Sequence, residues 1–160
     1  MIKVIIFDLD GVLVDTKMIH YDALNISLEK YKFEKISIDD HVRVFDGLPT
    51  IEKLNILNKR KSIPKKFFSK ISKYKQKVTT EILKKKIKKN KKIINMMKNL
   101  HGKYKIAVAT NAVNSTLKIC LNKLGISKYI DFKLSNENVV NPKPNPEIYL
   151  KIFIKFGIYP

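Results

Sequence analysis

Two patterns of apolar residues alternate along the chain. Short apolar runs occur at residues 2–8, 104–110 and 129–134. Runs of this length with little polar alternation are typical of strands in a parallel sheet that is covered on both faces. Between and after them, apolar residues recur three or four positions apart, as they do along one face of a helix. The alternation predicts an α/β fold with a parallel sheet.

Helices are predicted throughout the long stretch that follows the first strand. Asp15 is suited to cap a helix beginning near Thr16, because its carboxylate can accept a hydrogen bond from a free main-chain N–H group. A second helix is expected after the turn at residues 46–50. Ser62 and Pro64 are expected to open a third and longer helix.

The strands and helices divide the chain into an interrupted core and an insert. Residues 15–90 are predicted to form a helical insert, and residues 1–14 with 91–160 the α/β core. Within the core, Asn114 is expected to cap the helix after the second strand. A last helix is expected at 147–156, after which a glycine ends it.

Length and composition are those of a globular protein. The chain has 160 residues, of which 44% are hydrophobic, enough for a substantial core. Cys120 is the single cysteine, so no internal disulfide is possible. No stretch approaches the roughly 20 apolar residues of a membrane span. We therefore expect a cytoplasmic protein without a membrane partner.

The charge of the chain raises the question of nucleic-acid binding. The formal net charge is +19, with basic blocks at residues 59–66 and 84–92. Arg43 and Arg60 are the only arginines, although the arginine fork is the usual reader of phosphates and bases. We expect a solvated lysine surface with at most weak, salt-sensitive attraction to polyanions, and no specific nucleic-acid partner.

Two aspartates stand at the end of the first apolar run. Asp8 and Asp10 are one residue apart, and Gly11 follows them. Carboxylates this close repel each other and resist burial, so a cation is expected between them. Gly11 lets the chain turn away without a side chain that would block the site.

Polar residues also follow the other two predicted strands. Thr110 and Asn111 end the second strand, and Lys143 lies in the proline-rich loop after the third. The carboxyl ends of parallel strands meet at one edge of a sheet, where ligands bind. Two carboxylates, a hydroxyl and an ammonium around one point suit a metal-neutralised phosphoryl group.

Three sequence segments resemble a known family. The segments FDLDGVLVDT, AVATNA and NPKPNPEIY resemble motifs one, two and three of the haloacid dehalogenase superfamily of phosphohydrolases. The resemblance covers essentially the whole chain, and the helical insert matches the position of that family's small cap domain. It implies a Rossmann-like core with an inserted helical cap.

The resemblance also implies a mechanism with Mg²⁺ as cofactor. Asp8 would be the nucleophile that forms an aspartyl-phosphate, and Asp10 would protonate the leaving oxygen and then activate water. The side chain of Asp8 and the main-chain carbonyl of Asp10 would hold the metal. Thr110 and Lys143 would grip the phosphoryl oxygens, and Lys143 would offset the charge that moves in the transition state.

A small phosphorylated metabolite is the implied substrate, of the sugar phosphate or phosphoglycolate type. Gly11, Thr110 and Asn111 are expected to line its site. His20 resembles a histidine near the active site of the β-phosphoglucomutase branch, although its place among apolar helix positions also suits a packed histidine. The resemblance implies an arginine at position 50 of such a mutase, and Thr50 stands there instead, which favours a phosphatase over a mutase.

A fourth family motif, an acidic pair after a fourth strand, has no match before the printed sequence ends. Either the sequence is a fragment of a longer protein or it is a degenerate homologue that binds ligands or partners without catalysis. As the sequence stands, residues 4–7 are expected to form an unpaired apolar edge, and such edges favour self-association.

Overall fold

The computed structural model of the chain describes residues 2–61 and 63–159. The chain divides into two compact units: Met1–Asp15 with Leu83–Pro160, and Thr16–Ile82. We call them the sheet unit and the helical unit. The helical unit begins one residue after the start predicted for the insert, residue 15, and ends at Ile82, before the predicted boundary near residue 90.

Three parallel strands form the sheet of the described residues: β1 (Val4–Phe7), β2 (Lys105–Ala109) and β3 (Phe132–Leu134). Their order is β1-β2-β3. Ile5 pairs with Ile106 and Val108 with Lys133, so the carboxyl ends of all three strands lie at one edge. The predicted α/β fold with a parallel sheet is confirmed.

The burial of β1 differs from the prediction. All four of its residues are half-buried, whereas Ile106–Ala109 of β2 are fully buried. The reason is position, because β2 lies between two strands and β1 pairs with β2 alone among the described strands. Self-association through this edge stays a prediction.

The helices of the sheet unit are α5 (Lys91–Leu100), α6 (Asn114–Leu124) and α7 (Glu147–Phe156). Ile148 and Ile152 of α7 pack with Ala107, Ala109 and Leu134, which belong to one face of the sheet. This packing anchors the loop that enters α7.

The start of α6 is not capped as predicted. Val113 occupies the N-cap position, and Asn114 is the first helical residue. The main-chain N–H of Asn114 donates to Glu137 Oε2 at 2.8 Å. A carboxylate distant in sequence therefore replaces the local cap, and the spacing of residues near 114 could not reveal it.

The helical unit contains α1 (Lys17–Lys30), α2 (Ile38–Asp40), α3 (Thr50–Lys61) and most of α4 (Phe68–Lys86). A π-helical turn at His41–Phe45 follows α2. The core of the unit consists of leucine, isoleucine and phenylalanine side chains: Leu24, Leu28, Ile36, Phe45, Leu54, Leu57, Ile63 and Ile71.

Two predicted helix starts in this unit need correction or comment. Thr16, not Asp15, occupies the N-cap position of α1, and no side-chain capping bond forms there. Its αR backbone differs from the extended conformation that a capping residue normally adopts. Pro64 precedes a 3₁₀ turn that leads into α4, and Ser62 lies outside the described residues.

Among the described helices, none is both long and apolar enough to span a bilayer.

Candidate active site

Asp8 follows directly after β1 and has a partner on each carboxylate oxygen. Its Oδ1 accepts a hydrogen bond from the N–H of Leu9 at 2.7 Å. Its Oδ2 lies 2.9 Å from Lys143 Nζ. The Asp8 side chain is 40% exposed and the Lys143 side chain 14%, so the carboxylate stays open to a ligand while the ammonium is shielded. A shielded cation is weakly screened by salt and suits the binding of an anion.

Asp10 lies beside the end of β2. The hydroxyl Oγ1 of Thr110 donates to Asp10 Oδ2 at 3.3 Å and accepts from the N–H of Ala112 at 3.0 Å. Gly11 has a φ of +75°, a conformation that favours glycine, and its N–H donates to Val14 at 2.8 Å. This tight turn leads the chain away after Asp10, whose carboxylate lies beside Thr110 at the end of β2.

Lys143 is held at both its main chain and its ammonium group. Besides contacting Asp8, Nζ donates to the carbonyl of Ala109 at 3.0 Å. The Lys143 N–H donates to Asn111 Oδ1 at 3.0 Å, and Asn111 Nδ2 donates to the Lys143 carbonyl at 2.9 Å. We call this reciprocal pair of bonds the Asn111 clasp. The predicted convergence of groups from three strand ends is thus present, although each group's role stays a prediction.

Glu147, which the sequence did not single out, holds the start of the same loop. Its carboxylate accepts from the main-chain N–H groups of Val140 and Asn141 at 2.9 and 2.8 Å. These bonds, together with the contact to Lys151, lower the pKa of Glu147 to about 2. An acidic residue in the first turn of a helix was the available signal, but its loop partners depend on tertiary structure.

Cys120 can be set aside as a nucleophile. Burial raises the pKa of its thiol to about 12, and the nearby negative charge of Asp10 acts in the same direction. A thiol is reactive only as its thiolate. The nucleophile of this edge must therefore be sought among the oxygen groups.

The oxygen donors of Asp8 and Asp10 fit part of a Mg²⁺ site. Magnesium prefers oxygen ligands and keeps several of its waters. No group of three or more acidic, histidine or cysteine residues that could hold a metal occurs among the described residues. These two aspartates would therefore supply the protein ligands, and water would have to complete the coordination of a bound Mg²⁺.

His20 belongs to the helical unit, and its predicted contact with substrate stays a prediction. It is half-buried on α1. His20 interacts electrostatically with His41, which is fully buried. The pKa of His41 is lowered, chiefly by burial and then by the charge of Lys53. The sequence did not single out His41, since a lone histidine carries no pattern that separates a packed residue from a functional one.

Comparison with known proteins gives a consistent result. The family model described as Haloacid dehalogenase-like hydrolase matches residues 5–160. A protein of Thermotoga maritima named Phosphorylated carbohydrates phosphatase is 30% identical over 162 residues. That alignment covers 99% of this chain and 72% of the relative.

Two solved structures are similar along almost the whole chain. The β-phosphoglucomutase of Clostridium difficile is 26% identical with a TM-score of 0.77, covering 99% of this chain and 72% of the other. A predicted phosphoglycolate phosphatase of Haemophilus somnus is 22% identical with a TM-score of 0.83, covering 99% and 73%. The second likeness shows the fold alone.

Proposed function

Since this chain belongs to the haloacid dehalogenase-like hydrolase family, we propose that it hydrolyses a small phosphorylated metabolite, of the sugar phosphate or phosphoglycolate type, through an aspartyl-phosphate. The observation that carries the proposal is the 2.9 Å pair between Asp8 and the shielded ammonium of Lys143. An ammonium beside an accessible carboxylate lets that carboxylate approach a phosphoryl group despite their like charge.

In the first step, an oxygen of Asp8 attacks phosphorus and the bond from phosphorus to the ester oxygen breaks. Asp10, in its acid form, gives its proton to the departing oxygen. The Thr110 hydroxyl, 3.3 Å from Asp10 Oδ2, is placed to orient that carboxyl group. The product alcohol leaves, and Asp8 carries the phosphoryl group.

In the second step, Asp10 accepts a proton from water as the water oxygen attacks phosphorus. The bond between Asp8 and phosphorus breaks, which frees phosphate and restores both aspartates. Throughout, Lys143 neutralises charge on the phosphoryl oxygens. The side chain of Asp8 and the carbonyl of Asp10 would hold Mg²⁺, which when bound supplies further positive charge to the phosphoryl group.

We infer that the helical unit serves as the cap that the sequence predicts, and that its side chains select the substrate. His20 is the named candidate for this selection. A sugar phosphomutase is the second candidate function, supported by the 26% identity to the Clostridium difficile β-phosphoglucomutase. Against it stands Thr50, where the sequence lacks the expected arginine.

The test is release of phosphate from a panel of sugar phosphates, phosphoglycolate and p-nitrophenyl phosphate, with Mg²⁺ and with EDTA. We expect turnover with Mg²⁺ that EDTA abolishes. Asp8→Asn should lower it by about four orders of magnitude or more, since the nucleophile is lost. Asp39→Asn, at an exposed ion pair with Arg43, is the matched control and should leave turnover unchanged.

Other outcomes separate the alternatives. Conversion of a sugar 1-phosphate to its 6-phosphate, with little phosphate released, would support the mutase. A folded protein with no turnover on any substrate of the panel would contradict both enzymatic proposals and favour a binding protein.

A further inference from the structure

The Asn111 clasp occupies most of the side chain that the sequence assigned to substrate. Oδ1 accepts from the Lys143 N–H at 3.0 Å, and Nδ2 donates one of its two N–H groups to the Lys143 carbonyl at 2.9 Å. The amide thus bonds to the main-chain N–H and carbonyl of Lys143, as the main chain of a neighbouring strand would. One N–H of Asn111 remains outside the clasp.

The clasp matters because lysine is a flexible side chain. Its ammonium sits on a four-carbon stem, and holding that stem in one conformation costs rotamer entropy. Contacts to Asp8 and to the Ala109 carbonyl fix the far end, at 2.9 and 3.0 Å. The near end is fixed only if the main chain of Lys143 is fixed, and Asn111 bonds to both of its polar groups.

The loop around Lys143 is also held by hydrogen bonds to Glu147, at the start of α7. Glu147 accepts from the N–H groups of Val140 and Asn141, and its own N–H donates to Asn145 Oδ1 at 2.9 Å. These bonds join the start of the loop to α7. Asn111, which follows β2, joins the middle of the loop to the sheet edge.

We propose that Asn111 is a positioning residue that acts on phosphoryl transfer through Lys143 and does not bind substrate itself. The inference rests on the proposed function, in which Lys143 contacts the phosphoryl oxygens. Two adjacent residues then have different roles. Thr110 contacts Asp10, and Asn111 positions the Lys143 ammonium beside Asp8.

A double-mutant cycle tests the inference, with Asn111→Ala, Lys143→Ala and the double variant. Asn111→Ala should lower kcat by about 10- to 100-fold, as small misplacements of a catalytic group do, and change KM by less than about threefold. In the Lys143→Ala background the same substitution should change kcat by less than about threefold, because the residue through which it acts is gone. Losses that multiply, or a KM that rises with each loss of Asn111, would overturn the inference.

Two further variants separate positioning from folding. Asn111→Asp keeps the acceptor for the Lys143 N–H, but its second oxygen is an acceptor that faces the Lys143 carbonyl, so its kcat should fall below that of wild type. This loss is expected even if Asn111→Ala fails to fold, and a wild-type kcat in folded Asn111→Asp would overturn the inference. Asn25→Ala, which removes a similar pair of bonds in the helical unit, should leave kcat per folded molecule unchanged.

The same cycle on tungstate affinity, measured by calorimetry, needs no turnover. We expect Asn111→Ala to weaken tungstate binding in wild type and to have little effect in Lys143→Ala. Coupled affinities in a protein without turnover would defeat the proposed function and would still support the positioning of Lys143 by Asn111. Turnover with uncoupled affinities would support the proposed function and overturn the positioning of Lys143 by Asn111. A wild-type protein that binds no tungstate would also defeat the inference.

Discussion

Asn25 and Asn111 make the same pair of bonds in different units of the molecule. Asn25 Nδ2 donates to the Ile36 carbonyl at 3.1 Å, and Oδ1 accepts from the Ile36 N–H at 2.8 Å. Asn111 bonds to Lys143 in the same way. Ile36 is buried in an apolar core, whereas Lys143 presents a charge to Asp8. The contact type therefore does not reveal function, which depends on the residue that is held.

The largest difference is expected between substitutions of Lys143 and Ile36, the residues that the two asparagines bind. Lys143→Ala should lower kcat by about 100- to 1000-fold, the usual cost of losing a preorganised charge-stabilising group, while the free energy of unfolding changes little. Ile36→Ala should leave kcat per folded molecule unchanged and destabilise the protein by about 2 to 5 kcal/mol, because it leaves a cavity in the core.

Phosphate-release assays and urea unfolding measure the two effects. Lys133→Ala removes an exposed lysine of β3 and is the control for the charge change. Comparable losses of kcat from Lys133→Ala and Lys143→Ala would break the contrast, as would a large loss of kcat from Ile36→Ala.

A smaller difference is expected from the asparagines themselves. Asn25 is buried, so Asn25→Ala leaves two polar main-chain groups unpaired away from water and should destabilise the protein by about 1 to 3 kcal/mol. Asn111 is only half-buried, and water can replace part of its clasp. Urea unfolding should therefore show a smaller loss of stability for Asn111→Ala than for Asn25→Ala, and the reverse order would contradict a purely structural role for Asn25.

Features with a local sequence pattern could be predicted, and those that depend on tertiary contacts could not. The alternation of apolar runs predicted the strands and the parallel sheet. Asp8, Asp10, Thr110 and Lys143 were singled out because their residue types follow strand ends, and the structure brings them to one edge of the sheet. The clasps were not predictable, because Asn111 and Lys143 are joined by tertiary structure alone. The same holds for the Glu137 contact that begins α6.

The smallest effect concerns Glu147 and depends on pH. Its folded pKa of about 2 lies below its ordinary value of 4.5, so its bonds to the loop stabilise the fold fully above about pH 4.5. This contribution is lost as pH falls from there toward 2. Glu147→Gln should lower the urea midpoint at pH 7, and its difference from wild type should shrink between pH 5 and pH 3.

The control is Glu34→Gln, which removes an exposed carboxylate paired with Lys61 and should have little effect at either pH. If the difference between Glu147→Gln and wild type grew in acid, the direction assigned to the Glu147 pKa would be wrong.

The most direct measurement is the mass of the protein after acid quenching during turnover with Mg²⁺ and a phosphorylated sugar. With p-nitrophenyl phosphate, whose leaving group needs no protonation, Asp10→Asn should slow loss of the phosphoryl group more than its formation, since in the proposed mechanism Asp10 activates the attacking water. An aspartyl-phosphate mechanism predicts one added phosphoryl group, located by peptide fragmentation on Asp8 and absent from Asp8→Asn. Turnover with no phosphoryl group on the protein, or with one on another residue, would contradict it.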